Sequence, residues 1–169
     1  MSETYYVKTF GGLEITNDNV TVNIVELFGK QLVNLLQVLL FHSEKPVQKD
    51  ELIDILWPES KNPSSALKFS IFRLRSELNE IDFFKDKEVI ATTRKGYILN
   101  PNLDWNIDFV ELQKAYNQIN EGAELLDEKE FKIARKIFRL YQDGFMLHQA
   151  SFIGFYKNKK YLDKCMLKQ

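Results

Sequence analysis

From Pro63 to Asn79 the chain reads PSSALKFSIFRLRSELN, and Leu67, Ile71, Leu74 and Leu78 recur within it at intervals of four, three and four residues. That period gathers them on one face of an α-helix, which must be buried against something else. Pro63 suits the first helical position, and Asn62 before it is the expected cap. Opposite the aliphatic face lie Ser65, Phe72 and Ser76, with Phe69 nearby. Lys68 and Arg75 flank this outer face on one side and Arg73 on the other. A helix buried along one side and edged by cations on the other can enter a groove of duplex DNA. Side chains at its centre then reach base edges, while the flanking cations reach the phosphates of the two strands. Phe69 and Phe72 are expected to pack on a neighbouring hairpin or partner helix rather than to stack on bases.

The neighbouring segments support such a helix. Upstream, YYVKTF, LEIT and NVTVNIVEL are rich in β-branched and aromatic residues, and Gly11-Gly12 and Asn17-Asp18-Asn19 separate them as turns. They predict three or four short antiparallel strands. In FGKQLVNLLQVLLFHS, Leu32, Leu35, Leu36, Leu39 and Leu40 fall at helical spacing. VQKDELIDILW gives a second, shorter helix that Pro58 stops, with Trp57 packing at its end. Downstream of Asn79, Val89-Ile90-Ala91 and Tyr97-Ile98-Leu99 predict a hairpin joined through residues 92–96, with Arg94 and Lys95 at its tip. A hairpin with a cationic tip directly after a cation-edged helix is the layout of a winged helix-turn-helix.

Charge sharpens this reading. The net charge is −1, yet residues 61–79 hold Lys61, Lys68, Arg73 and Arg75 against Glu77 alone. Residues 89–99 hold Arg94 and Lys95 against no acid. Two basic islands in an otherwise acidic chain are a directed electrostatic footprint. Catalysis is not expected. His42 and His148 lie far apart, the single Cys165 has no histidine beside it, and no metal-ligand spacing or phosphate-binding glycine loop is present. No cofactor is expected. The most apolar run, LVNLLQVLLF, is about half of a bilayer span, and the start MSETYYVK is polar, so a cytoplasmic protein without a membrane partner is expected.

Asn100-Pro101 breaks structure and marks the expected boundary between two domains, 1–101 and 102–169. In the second, NIDFVELQKAYNQINEG and DEKEFKIARKIFRLYQDG carry Ile107, Leu112, Ala115 and Ile119, then Phe131, Ala134, Ile137, Phe138 and Tyr141, at helical spacing. Paired helices with alanines at contact positions predict an all-α helical-repeat unit.

DELIDILWPE, SALKFSIFRLRSEL and IATTRKGYIL, in that order, resemble the winged-helix domain of OmpR-type transcription factors. The resemblance is closest to the branch of the Streptomyces antibiotic regulatory proteins. It implies an α+β winged helix-turn-helix: an N-terminal antiparallel sheet, three helices and a C-terminal hairpin wing. NIDFVELQKAYNQI and ARKIFRLYQDGFM are similar to the opening of the tetratricopeptide-like bacterial transcriptional activation domain that follows it in that branch. The resemblance implies a DNA-binding transcriptional regulator whose recognition helix, about 63–79, enters the major groove. Ser65, Lys68, Phe72, Arg73 and Arg75 would face DNA there. Thr93, Arg94 and Lys95 would lie in the wing, on the backbone or in the minor groove. Glu59, Ser60, Lys61 and Asn62 would form the loop that can contact RNA polymerase. The implied partners are double-stranded DNA, a second copy of the chain and RNA polymerase. Two other uses stand beside this one: a winged helix serving as a protein-docking module, and an output fragment of a larger signalling protein.

Overall fold

The computed structural model describes residues 3–111 and residue 114. Strands β1 (Thr4–Lys8), β2 (Glu14–Asn17) and β3 (Val20–Asn23) form the expected antiparallel meander. Its turns use Gly11 and Gly12 at φ 76° and 151°, and Asp18 at φ 52°. Such backbone suits glycine and is tolerated by Asp. NVTVNIVEL does not continue as a strand. Asn23 Oδ1 accepts the Val25 N–H at 3.1 Å, and the Asn23 amide donates to Glu26 at 3.2 Å. This local cap, one turn long, starts α1 (Ile24–Leu27) where strand propensity alone predicted more sheet.

Three longer helices follow. In α2 (Lys30–Phe41) eight residues are buried, well beyond the leucine stripe. A helix covered on nearly all sides is the centre of its domain. α3 (Lys49–Leu56) and α4 (Pro63–Asn79) both pack on it and on each other. Asp50 and Glu51 occupy the first turn of α3, where carboxylates favour the helix dipole. The stripe Leu67, Ile71, Leu74 and Leu78 is buried throughout. Trp57 packs partly buried at the end of α3. Asn62 sits at the cap position of α4, but its side chain makes no capping hydrogen bond, and Pro63 opens the helix.

The wing is tighter than its sequence predicts. β4 (Ile90–Thr93) and β5 (Gly96–Leu99) pair antiparallel, so Thr92, Thr93 and Gly96 belong to the strands and only Arg94 and Lys95 form the turn. The threonines are β-branched and favour the pleated surface. Thr93 Oγ1 also closes the turn, accepting the Lys95 N–H and donating to Gly96 O, each at 3.1 Å.

The chain then returns to the first sheet. Asn106 and Ile107, predicted to open a helix, lie instead in β6 (Asp104–Ile107), which pairs parallel with β1 from Thr4↔Asp104 to Val7↔Ile107. The sheet order is β3-β2-β1-β6. Tyr5 packs between Phe84 and Trp105, at ring-centroid distances of 4.9 and 5.3 Å. Trp105 donates its indole N–H to Asn100 O at 3.0 Å. Asp108, just past the strand, accepts the Thr9 N–H at 2.9 Å, the Thr9 hydroxyl, and the Phe10 N–H at 3.3 Å. Burial pushes the Asp108 carboxyl above its usual range, against the lowering effect of these donors. The first sheet therefore extends past residue 101 and gains its fourth strand from beyond it. The helical-repeat unit expected over residues 102–169 lies, apart from residues up to 111 and residue 114, outside the described residues.

Candidate nucleic-acid interface

The core stripe fixes the rotation of α4, and so fixes its outer face. Ser65, Lys68, Phe69, Phe72, Arg73 and Ser76 are all exposed. Phe69 and Phe72 remain 62% and 69% accessible, so of the two covers expected from sequence, the hairpin and a partner helix, the hairpin does not bury them. The flank next to the hairpin is taken by Arg75. Its guanidinium donates through Nε and Nη2 to Ile90 O, at 3.0 and 2.8 Å, and through Nη2 to Thr92 Oγ1 at 2.8 Å. Arg75 thus ties the helix to the first strand of the wing. Arg73, on the opposite flank, pairs with Glu77 at 3.1 Å one turn on. Both partners are solvated, so that pair is worth little and can open.

Arg94 and Lys95 project from the two-residue turn and are exposed, while Thr93 beside them is half-buried and held within the turn. Behind the turn, the hairpin is fastened to the helical layer. Val47 donates to Tyr97 O at 2.8 Å and accepts from the Tyr97 N–H at 3.0 Å. Gly96 makes this approach possible: its φ is +143°, and a Cβ there would meet Val47 O at 1.9 Å. Lys49 lies 5.8 Å from the centroid of the Tyr97 ring, within cation–π reach. Spacing did not single out Lys49 or Val47, because their relation to the wing is tertiary. The Gly96-Tyr97 pair was the signal that could have pointed to them.

The segment of residues 59–62 is exposed and bridges α3 and α4. Ser60 N–H donates to Trp57 O at 3.2 Å, and Ser60 Oγ accepts the Asn62 N–H at 3.3 Å. Glu59 and Lys61 therefore extend from a loop with internal support. Among the described residues no cluster of His, Cys, Asp and Glu could hold a metal ion. No described helix is long and apolar enough to cross a membrane.

Residues 23–99 match the family model described as transcriptional regulatory protein, C terminal. Among solved structures, the DNA-binding domain of E. coli CadC is similar at 26% identity, covering 58% of this chain and 94% of that one, with a TM-score of 0.42. Mycobacterium tuberculosis EmbR, solved in complex with a low-affinity phosphopeptide, is similar at 19% identity with a TM-score of 0.61. That likeness covers 98% of this chain and 43% of EmbR, and it is a likeness of fold. The chain thus spans less than half the length of EmbR. No curated protein matches it significantly.

Proposed function

We propose that this chain, a DNA-binding transcriptional regulator, lays α4 along the major groove and sets the Arg94-Lys95 turn on the phosphate backbone beside it. The observation that carries this reading is the tie between α4 and the wing. Because Arg75 bonds Ile90 and Thr92, the outer face of α4 and the cationic turn are held as parts of one surface. On this reading Arg75 is a positioning residue. Lys68 and Arg73 flank the groove, and Ser65 and Phe72 lie at its centre with Phe69 and Ser76.

The order of elements and the elements DELIDILWPE and RKGYIL favour placing the chain in the branch of the Streptomyces antibiotic regulatory proteins, with residues beyond 111 serving as a tetratricopeptide-like activation module. Dimerisation through that module, and polymerase contact through residues 59–62, belong to the same proposal. A domain boundary following β6 suits it better than one at residue 101, since a cut at 101 would strip a strand from the sheet. A use in protein docking is favoured by one observation, the two exposed phenylalanines. The cations that border them on both sides favour DNA instead.

The test is a salt titration of duplex binding. Replacing Arg94 and Lys95 together with alanine should lower the slope of log affinity against log salt by roughly two, at about 0.9 for each lost phosphate contact. Sequence preference should hardly change, because phosphate contacts position a protein without reading bases. A loss of preference for A·T-rich flanks alongside the slope would place the turn in the minor groove. An unchanged slope would take the wing off the DNA.

A further inference from the structure

The outer face of α4 carries a stripe that mirrors the buried one. Ser65, Phe69, Phe72 and Ser76 recur at the same intervals of four, three and four as Leu67, Ile71, Leu74 and Leu78, two residues out of phase. At 100° per residue the two stripes lie on opposite sides of the helix. One is buried and the other is exposed, with its two central members the most exposed large apolar residues of the described chain. This second stripe is not spare core. Between residues 61 and 79 the one acid is Glu77, in a solvated pair with Arg73, while Lys68 and Arg73 border the stripe on opposite sides and Lys61 precedes the helix. The charge therefore selects a polyanion as its occupant over an ordinary protein surface.

Phenyl rings facing a major groove can use only part of what the groove presents. They neither donate nor accept the hydrogen bonds that distinguish guanine, cytosine and adenine edges, and covering those edges without replacing their water is costly. The one apolar feature of the groove is the C5-methyl group of thymine. Phe69 and Phe72 are three residues apart, about 4.5 Å along the helix axis and about 60° apart around it. The base-pair rise is about 3.4 Å, so the two rings address neighbouring or next-but-one base pairs. We propose that Phe69 and Phe72 read thymine methyl groups at two closely spaced positions, with Ser65 and Ser76 as polar contacts at either end of the stripe. The inference rests on the DNA-binding reading above and adds the chemical feature that is recognised.

The experiment uses the full chain and a duplex selected by it from random DNA, prepared once with thymine and once with deoxyuridine in place of every thymine. Uracil pairs as thymine does and lacks only the methyl. Affinity should fall about fourfold for one contacted methyl and about fifteenfold for two. The double variant Phe69→Ala, Phe72→Ala should bind the two duplexes within about twofold of each other. Equal binding of both duplexes by the unaltered chain would overturn the proposal without need of any variant. So would a uracil penalty that survives in the double variant, since the methyls would then be read elsewhere or felt through DNA shape. A double variant that loses self-association while the unaltered chain ignores the methyls would assign the stripe to a dimer contact instead. Failure of the underlying reading looks different: neither duplex is bound in a salt-sensitive way, and both inferences fall together.

Discussion

Leu74→Ala should lower the stability of the chain by about 2–5 kcal/mol, the cost of removing a large side chain where the surroundings cannot collapse. Leu74 has no exposed surface and lies in the middle of the stripe by which α4 packs on α2 and α3. Trp57 and Trp105 are both partly buried against the core, so urea unfolding followed by tryptophan fluorescence should show the midpoint drop. DNA affinity of the fraction that remains folded should change little, because Leu74 points away from the outer face. An unchanged midpoint would mean that α4 is rotated differently, and the cationic face would move with it.

Gly96→Ala should be nearly as damaging, and at the wing. The backbone there has φ +143°, which an L-residue adopts only under strain of about 1–3 kcal/mol. The added methyl would also lie 1.9 Å from Val47 O and 2.6 Å from Val47 C. Relief requires moving β5 away from the helical layer, which breaks both hydrogen bonds between Val47 and Tyr97. At about 0.5–1.5 kcal/mol for each bond, displacing the wing costs roughly 1–3 kcal/mol, and the total is roughly 2–6 kcal/mol if the backbone strain persists, and less if the freed strand relaxes. Two measurements separate these cases. Thermal melting reports the stability, and hydrogen exchange at the Tyr97 amide reports whether the wing has detached. A detached wing should also weaken duplex binding, since Arg94 and Lys95 would no longer be fixed beside α4. A variant with native melting, native exchange and native binding would show that the approach of β5 to Val47 is unimportant.

Much of this architecture was legible because it obeys simple periods. The rotation of α4 followed from four aliphatic residues, and the exposed set Ser65, Lys68 and Arg73 followed from that rotation. Arg94 and Lys95 were recognisable as a hairpin tip because two short apolar runs enclose them. What escaped was determined by partners distant in sequence. Nothing in DWNIDF distinguishes a strand at residues 104–107 from the approach to a helix. The decision is made by the free edge of β1, about a hundred residues upstream, and by the Thr9 and Phe10 donors that Asp108 satisfies. Spacing places Arg75 on the flank of a helix but does not say what stands beside it. Here a strand stands beside it, with a carbonyl and a threonine hydroxyl within reach of the guanidinium. The phenylalanines escaped for the opposite reason. Apolar residues are expected to find cover, and only the structure shows that Phe69 and Phe72 have none within the described domain.

A chain of net charge −1 can hold duplex DNA only through a local cationic surface. The most direct measurement is the salt dependence of its affinity for a selected duplex. If Lys68, Arg73, Arg94 and Lys95 each neutralise a phosphate, log affinity should fall against log salt with a slope of roughly −3 to −4. The overall charge cannot produce such a slope, and alanine at Lys68, Arg73, Arg94 and Lys95 together should abolish it if this face is its origin. A slope near zero, or no binding to duplex DNA at low salt, would contradict the account.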